Sequence, residues 1–305
     1  MKRYIARRLL QIIPVLFIIT FIVFALLFLT GDPVLLMLPD NATEVDRAAL
    51  REALQLDRPF YVQYASFVWG MLHGNFGKSY YYGQEALPFV LERLPATFEL
   101  AAASMGVAIV IGVPFGIWSA THKNKWLDVI ISGVSVLGKA MPNFWFGIML
   151  ILLFSVNLHL LPVSGRGTLS HLVLPAVTLG FGVAAQITRL IRSAMLEILQ
   201  QDYIRTARSK GLIETLVIYR HAFRNALIPV VTIIAMQASA LIGGALITET
   251  VFSWPGLGQL LVQALSRKDM AIVEAAVCVI TLVVIISNLL ADIVYKWLDP
   301  RIKYQ

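Results

Sequence analysis

The chain has 305 residues, of which 58% are hydrophobic and only 14% charged, whereas a soluble domain of that size would carry roughly a quarter charged residues. Apolar runs of about 20 residues, each long enough for a helix to cross roughly 30 Å of hydrocarbon, indicate an all-α membrane protein. They exclude a barrel, whose strands alternate over short segments, and the net charge of +7 comes without the basic, aromatic-interleaved stripe of a nucleic-acid binder.

The start MKRYIARR leads into a first apolar run at about 9–30. That run is longer than a signal-peptide core, and no small-x-small cleavage site follows it, so it reads as an uncleaved span. Gly31-Asp32-Pro33 ends it sharply, because proline cannot continue a helix.

Residues 31–97 form the largest polar region. ATEVDRAALREALQLD places apolar residues at helical spacing, with Thr43 three residues before Asp46 as a capping pair. HGNFGKSYYYGQ reads as loop, and ALPFVLERLP as a short helix bounded by prolines. GNFGKS ends like a phosphate-binding loop, but that loop needs G-x-x-x-x-G-K-[ST], and the position of its first glycine is Leu72. The short glycosylation pattern Asn41-Ala42-Thr43 recurs too often by chance to carry a conclusion.

Five further apolar runs follow, at about 98–120, 132–158, 172–191, 229–252 and 274–294. Six spans put both termini on one side. The segments 1–8, 121–125, 189–224 and 295–305 hold sixteen Lys and Arg, against eight in the segments facing the other way, which places both termini in the cytoplasm. The chain divides into a start and first span (1–30), a large extracytoplasmic region (31–97) and a five-helix core (98–305) whose cytoplasmic loop covers about 194–228.

Catalytic patterns are missing. There is no His-Glu-x-x-His, no Gly-x-Ser-x-Gly, and Cys278 is the single cysteine, so neither an internal disulfide nor a cysteine metal cluster forms. The chain reads as a non-enzyme without cofactor or metal. Lys139, Glu99, Glu249, Glu274 and Asp292 are ionisable within or beside spans; most sit near a span end, where snorkelling accounts for them. Asn143, Gln186, Gln237 and Ser239 are candidates for a translocation path, with bonding between helices as the plainer alternative.

The most informative stretch is DYIRTARSKG, residues 202–211, in the cytoplasmic loop. Asp202 is placed to cap a short helix, Tyr203, Ile204 and Ala207 share a face, and Gly211 suits a left-handed stop. A second helix follows at about 214–226, and Pro229 marks the entry to span five. By chemistry alone this bracket is equally a lipid-adsorbed linker or a docking surface for a cytoplasmic motor.

DYIRTARSKG followed by RHAFRNALIPVVT resembles the cytoplasmic loop of binding-protein-dependent ABC importer permeases, in particular the dipeptide/oligopeptide/nickel group. Where the wider class has E-A-A-x-x-x-G, this chain reads Arg205-Thr206-Ala207-x-x-x-Gly211, and the later proline is displaced to Pro229. Gly31-Asp32-Pro33, LQLDRPFYVQY at 54–64, LPATFELA at 94–101, ETVFSWPGLGQLL at 249–261 and LDPRIKY at 298–304 extend the resemblance nearly end to end.

The resemblance implies a type I importer permease in the bacterial inner membrane. Its implied partners are a second permease, two cytoplasmic ATPases that bind the ATP, an extracytoplasmic solute-binding protein and membrane lipid. Coupling would fall to Arg205, Thr206, Ala207, Arg208, Gly211 and Glu214. The solute stays open among dipeptides, oligopeptides, glutathione, nickel complexes and sugars. A secondary carrier working alone is the alternative; it would show internal repeats and midplane charge pairs.

Overall fold

The computed structural model describes residues 2–29, 34, 38, 43–53 and 57–298. Gly31-Asp32-Pro33, Asn41-Ala42, 54–56 of LQLDRPFYVQY and the end of the chain from Asp299 lie outside the described residues. Among those described, the structure is helical, without a strand. Among the described residues, four helices are long and apolar enough to cross a membrane, or five if one sharply bent pair counts as a single span. The chain forms two compact units, residues 1–96 with 255–285, and 97–254 with 286–305.

In the first unit, α1 (Lys2–Leu29) carries Phe21 and Phe24 edge-on against Phe60 and Tyr64. Those two rings belong to α3 (Phe60–Leu72). Between them lies α2 (Glu44–Ala53). Its start is held as the spacing predicts: Thr43 Oγ1 donates to Asp46 Oδ2 (2.7 Å), and Asp46 N donates back to Thr43 Oγ1 (3.2 Å). The apolar core gathers Phe89 and Val90 of α4 (Ala86–Leu91), Leu257 and Leu260 of α12 (Leu257–Ser266), and Ile272 and Val273 at the start of α13 (Met270–Leu298).

GNFGKS is a tight reversal. Gly74 and Gly77 adopt φ of +72° and +79°, a region open to glycine at little cost. Ser79 Oγ bonds the Asp269 carboxylate, and Tyr80 OH bonds the Arg267 carbonyl. The serine that would serve a phosphate site is therefore occupied within the fold.

In the second unit, α5 (Leu94–Thr121) and α8 (Leu169–Ile198) approach to backbone contact. A Cβ on Gly180 would lie 2.5 Å from the Ser104 carbonyl oxygen. Small residues at such crossings let helices pack where lipid supplies no hydrophobic drive between them.

The run expected as one span at 132–158 is two limbs. α6 (Trp126–Ala140) and α7 (Asn143–Leu150), the latter continued by a π-helical turn Ile151–Asn157, meet at 110°. Pro142 is the cause. It disfavours helix at Met141, which takes an extended ψ of 133°, and it cannot donate to the turn before it.

Candidate functional site

The stretch 202–211 forms the expected short helix, α9 (Asp202–Ser209), with two differences in detail. Gln201, in extended backbone, occupies the cap position and makes no side-chain cap bond. Asp202 is the first helical residue, where its charge meets the positive end of the helix dipole. Its carboxylate lies 3.6 Å from Arg205 Nη1, and both side chains are so exposed that the contact adds little stability.

Ile204 and Ala207, three residues apart, are buried, and α9 packs against the turn Val217–Phe223, where Val217 and Ala222 are also buried. The close approach that Ala207 allows is therefore to its own chain. Tyr203 leaves that face: it is exposed, and its hydroxyl accepts from Asn225 Nδ2 (3.1 Å). The outward surface carries Arg205, Thr206, Arg208, Ser209 and Lys210.

Gly211 ends the helix at φ +76°. Its N–H donates to the Arg208 carbonyl (2.9 Å), and Lys210 N donates to Thr206 O (3.1 Å), so two of the helix's last carbonyls are satisfied. Across the turn, Arg208 grips Glu214 with two bonds, Nη2 to Oε1 (2.7 Å) and Nε to Oε2 (3.2 Å). This hydrogen-bonded pairing holds the Glu214 carboxyl below its ordinary range and raises the Arg208 guanidinium. Arg208 is thus engaged inside the chain, and Arg205 and Lys210 are cations directed outward.

No separate second helix follows. α10 (Glu214–Leu216) passes through a π-helical turn, Val217–Phe223, directly into α11 (Arg224–Val251). Pro229 lies inside that continuous helix and does not mark a boundary. This unbroken run and the Arg208–Glu214 clip tie the loop to α11.

Of the translocation-path candidates, Gln186 on α8 and Gln237 on α11 come together, with Gln237 Nε2 donating to Gln186 Oε1. Asn143 opens α7 just after the break. It lies beside Gly182, where a Cβ would sit 3.9 Å from Asn143 Oδ1. Ser239 is turned about 200° around α11 from Gln237, and its buried hydroxyl has no partner among the described residues.

The ionisable candidates divide. Glu99 is paired with Arg166 (2.9 Å, Nε to Oε2) at a partly exposed position. Lys139 is exposed in the last turn of α6. Glu274 and Asp292 are half-buried. Glu249 does not snorkel: it is fully buried and accepts a 2.7 Å bond from Thr97 Oγ1.

Sequence reasoning passed over Asp128, which is buried and bonded twice to Arg192. The two residues lie 64 apart in the chain, so no local spacing joins them. The available signal was an acid at the head of an apolar run.

Residues 112–304 match the family described as binding-protein-dependent transport system inner membrane component, and residues 1–101 match its N-terminal part. Over the full length of both proteins, the chain is 38% identical to the dipeptide transport system permease protein DppB of Escherichia coli (strain K12). It is 40% identical, again over both full lengths, to the oligopeptide transport system permease protein AppB of Bacillus subtilis (strain 168). The fold is similar to a chain of the MetNI methionine ABC transporter in an inward-facing conformation, with a TM-score of 0.58 at 19% identity, covering 69% of this chain and 96% of that one.

Proposed function

The chain belongs to the binding-protein-dependent transport system inner membrane component family, a multi-pass protein of the inner membrane, and from that premise we propose that it forms half of the pore of an ATP-driven peptide importer. The observation that carries the proposal is the end-to-end match to dipeptide and oligopeptide permeases, joined to the rigid basic helix at Asp202–Ser209. In this reading the chain crosses the membrane six times with both termini in the cytoplasm. It pairs with a second, similar permease and is driven by two cytoplasmic ATPases.

α9 is the element the ATPases engage. Arg205 and Lys210 offer charge-assisted bonds to acidic or carbonyl groups, Thr206 adds a hydroxyl, and Gly211 with the Arg208–Glu214 clip keeps the helix from bending away under load. Ala207 anchors it from within. Asn143, Gln186 and Gln237 line the path, Ser239 lies on the far side of α11 from it, and residues 31–97 meet the solute-binding protein outside. No catalytic step falls to this chain; ATP is bound and hydrolysed by its partners.

The test is reconstitution of the permease pair with its ATPases and binding protein in liposomes. Uptake of a labelled dipeptide is expected only with ATP and all components present. Uptake by this chain alone, or after omission of the ATPases, would overturn the reading in favour of a secondary carrier.

A further inference from the structure

Asp128 and Arg192 lie outside every motif considered above. Asp128 lies in the first turn of α6 and is 4% exposed. Arg192 Nε and Nη2 donate to its two oxygens at 2.7 and 2.8 Å. The backbone N–H of Asn124 donates to Oδ2 at 2.9 Å, and Ser119 Oγ donates to Oδ1. One carboxylate thus holds together the end of α5, the turn into α6, and α8.

Above this clip the helices are locked by shape. A Cβ on Gly112 would lie 2.8 Å from Ile187 Cβ, and one on Gly116 would lie 2.7 Å from Ile191 Cβ. Sliding α8 along α5 would drive these side chains into backbone. Below the clip, the chain passes to α9 without slack. Leu199 N bonds Met195 O (2.8 Å), Gln201 N bonds Ile198 O (3.0 Å) and Ile204 N bonds Gln201 O (3.0 Å). Arg192 therefore sits only about 15 Å of helical rise from the start of α9.

The Asp128 side chain is 5% exposed and that of Arg192 29%, and an ion pair so placed adds little stability and is better suited to fixing register. We propose that Asp128 and Arg192 are positioning residues for energy coupling, clamping α5, α6 and α8 into one lever that the 202–209 helix moves. The inference rests on the pore-subunit reading. Without the clamp, a push on α9 is absorbed by α8 bending at its end, beyond the Gly116–Ile191 contact, while the turn from α5 into α6 and the α6 limb stay behind. ATP hydrolysis then continues and transport does not follow.

The experiment uses the full reconstituted importer and measures ATP hydrolysed per peptide imported. Asp128→Asn and Arg192→Gln should each raise that ratio about tenfold, the scale of losing one hydrogen bond to a charged group. In a Cys278→Ala background, Asp128→Cys with Arg192→Cys should be uncoupled in the same way. A short bifunctional thiol cross-linker should restore its ratio toward that of the wild type, because it replaces the mechanical link without the charges. A ratio unchanged in both single variants overturns the proposal. So does a parallel fall of hydrolysis and uptake with complex yield, which marks a purely structural pair, and so does a double-cysteine variant that stays uncoupled when cross-linked. Absence of ATP-driven uptake by the wild type would overturn the pore-subunit reading itself.

Discussion

Gly180→Ala tests the packing on which the core rests. Gly180 is buried on α8, and the added Cβ would meet the Ser104 carbonyl oxygen at 2.5 Å, where real Cβ atoms essentially never come closer than 3.0 Å. The obstacle is backbone, so no rotamer change relieves it and α5 must move from α8 by at least half an ångström or so. Overpacking of this kind costs about 1–3 kcal/mol, whereas alanine over glycine in a helix interior gains about 0.8–1.0 kcal/mol. The two terms partly cancel, so a single variant is a poor measure. Gly106→Ala on α5 removes the ambiguity, because nothing lies within 4 Å of its Cβ and it carries the propensity gain alone. The difference between the two variants should then be the overpacking cost, about 1–3 kcal/mol. Thermal unfolding of the purified chain in detergent should place the Gly180→Ala midpoint several degrees below that of Gly106→Ala, at about 2 °C per kcal/mol or slightly less for a chain this long. Equal midpoints would refute the close crossing of α5 and α8.

Gly211→Ala should cost about 1 kcal/mol or slightly more from its left-handed φ alone, since no neighbour lies within 4 Å; the readout is faster amide exchange over 202–211 and weaker coupling in a chain that still inserts. The Arg208–Glu214 clip should contribute about 0.2–1 kcal/mol, both groups being about half exposed. Because Glu214 titrates below its ordinary range in the folded chain, that contribution is full at neutral pH and fades as pH falls through and below the glutamate range. The amide-exchange difference between wild type and Glu214→Gln should therefore be present at pH 7 and vanish in acid; a difference that persists there contradicts the pairing. Lys210→Cys in a Cys278→Ala background should react with an impermeant thiol reagent only from the cytoplasmic side, and labelling from outside would reverse the orientation. Gln186→Leu should lower peptide uptake more than it lowers thermal stability, since Gln237 keeps its place on α11; loss of stability alone would make the pair mere helix glue.

Much of the architecture is present in local chemistry. Apolar length predicts helices that cross lipid, the Thr43–Asp46 spacing predicts its own capping pair, and the left-handed Gly211 is legible because few other residues end a helix so readily. What local spacing does not carry is which side chain meets which. Asp202 looks like a cap, but the chain enters the helix one residue earlier, at Gln201. Ala207 looks like an outward contact, yet it faces the chain's own π-helical turn. The run at 132–158 looks continuous, since hydropathy does not register the direction change that Pro142 imposes.

The sequence by itself therefore determined the solvent, the class of fold, the short basic helix and, through motifs shared along the chain, the family. Those properties rest on composition and on residues within a turn or two of each other. Only the tertiary structure decided that Asp128 answers Arg192, that Gln186 answers Gln237, that Glu249 is buried on Thr97, and that Arg208 is held by Glu214 while Arg205 is left facing outward. The first three pairings span 51 to 152 residues and depend on how helices cross, while the fourth depends on how the turn at Gly211 brings its two sides together. The crossings here are set by shape, by a glycine against a carbonyl or an isoleucine against a missing Cβ, which no periodicity in the chain encodes.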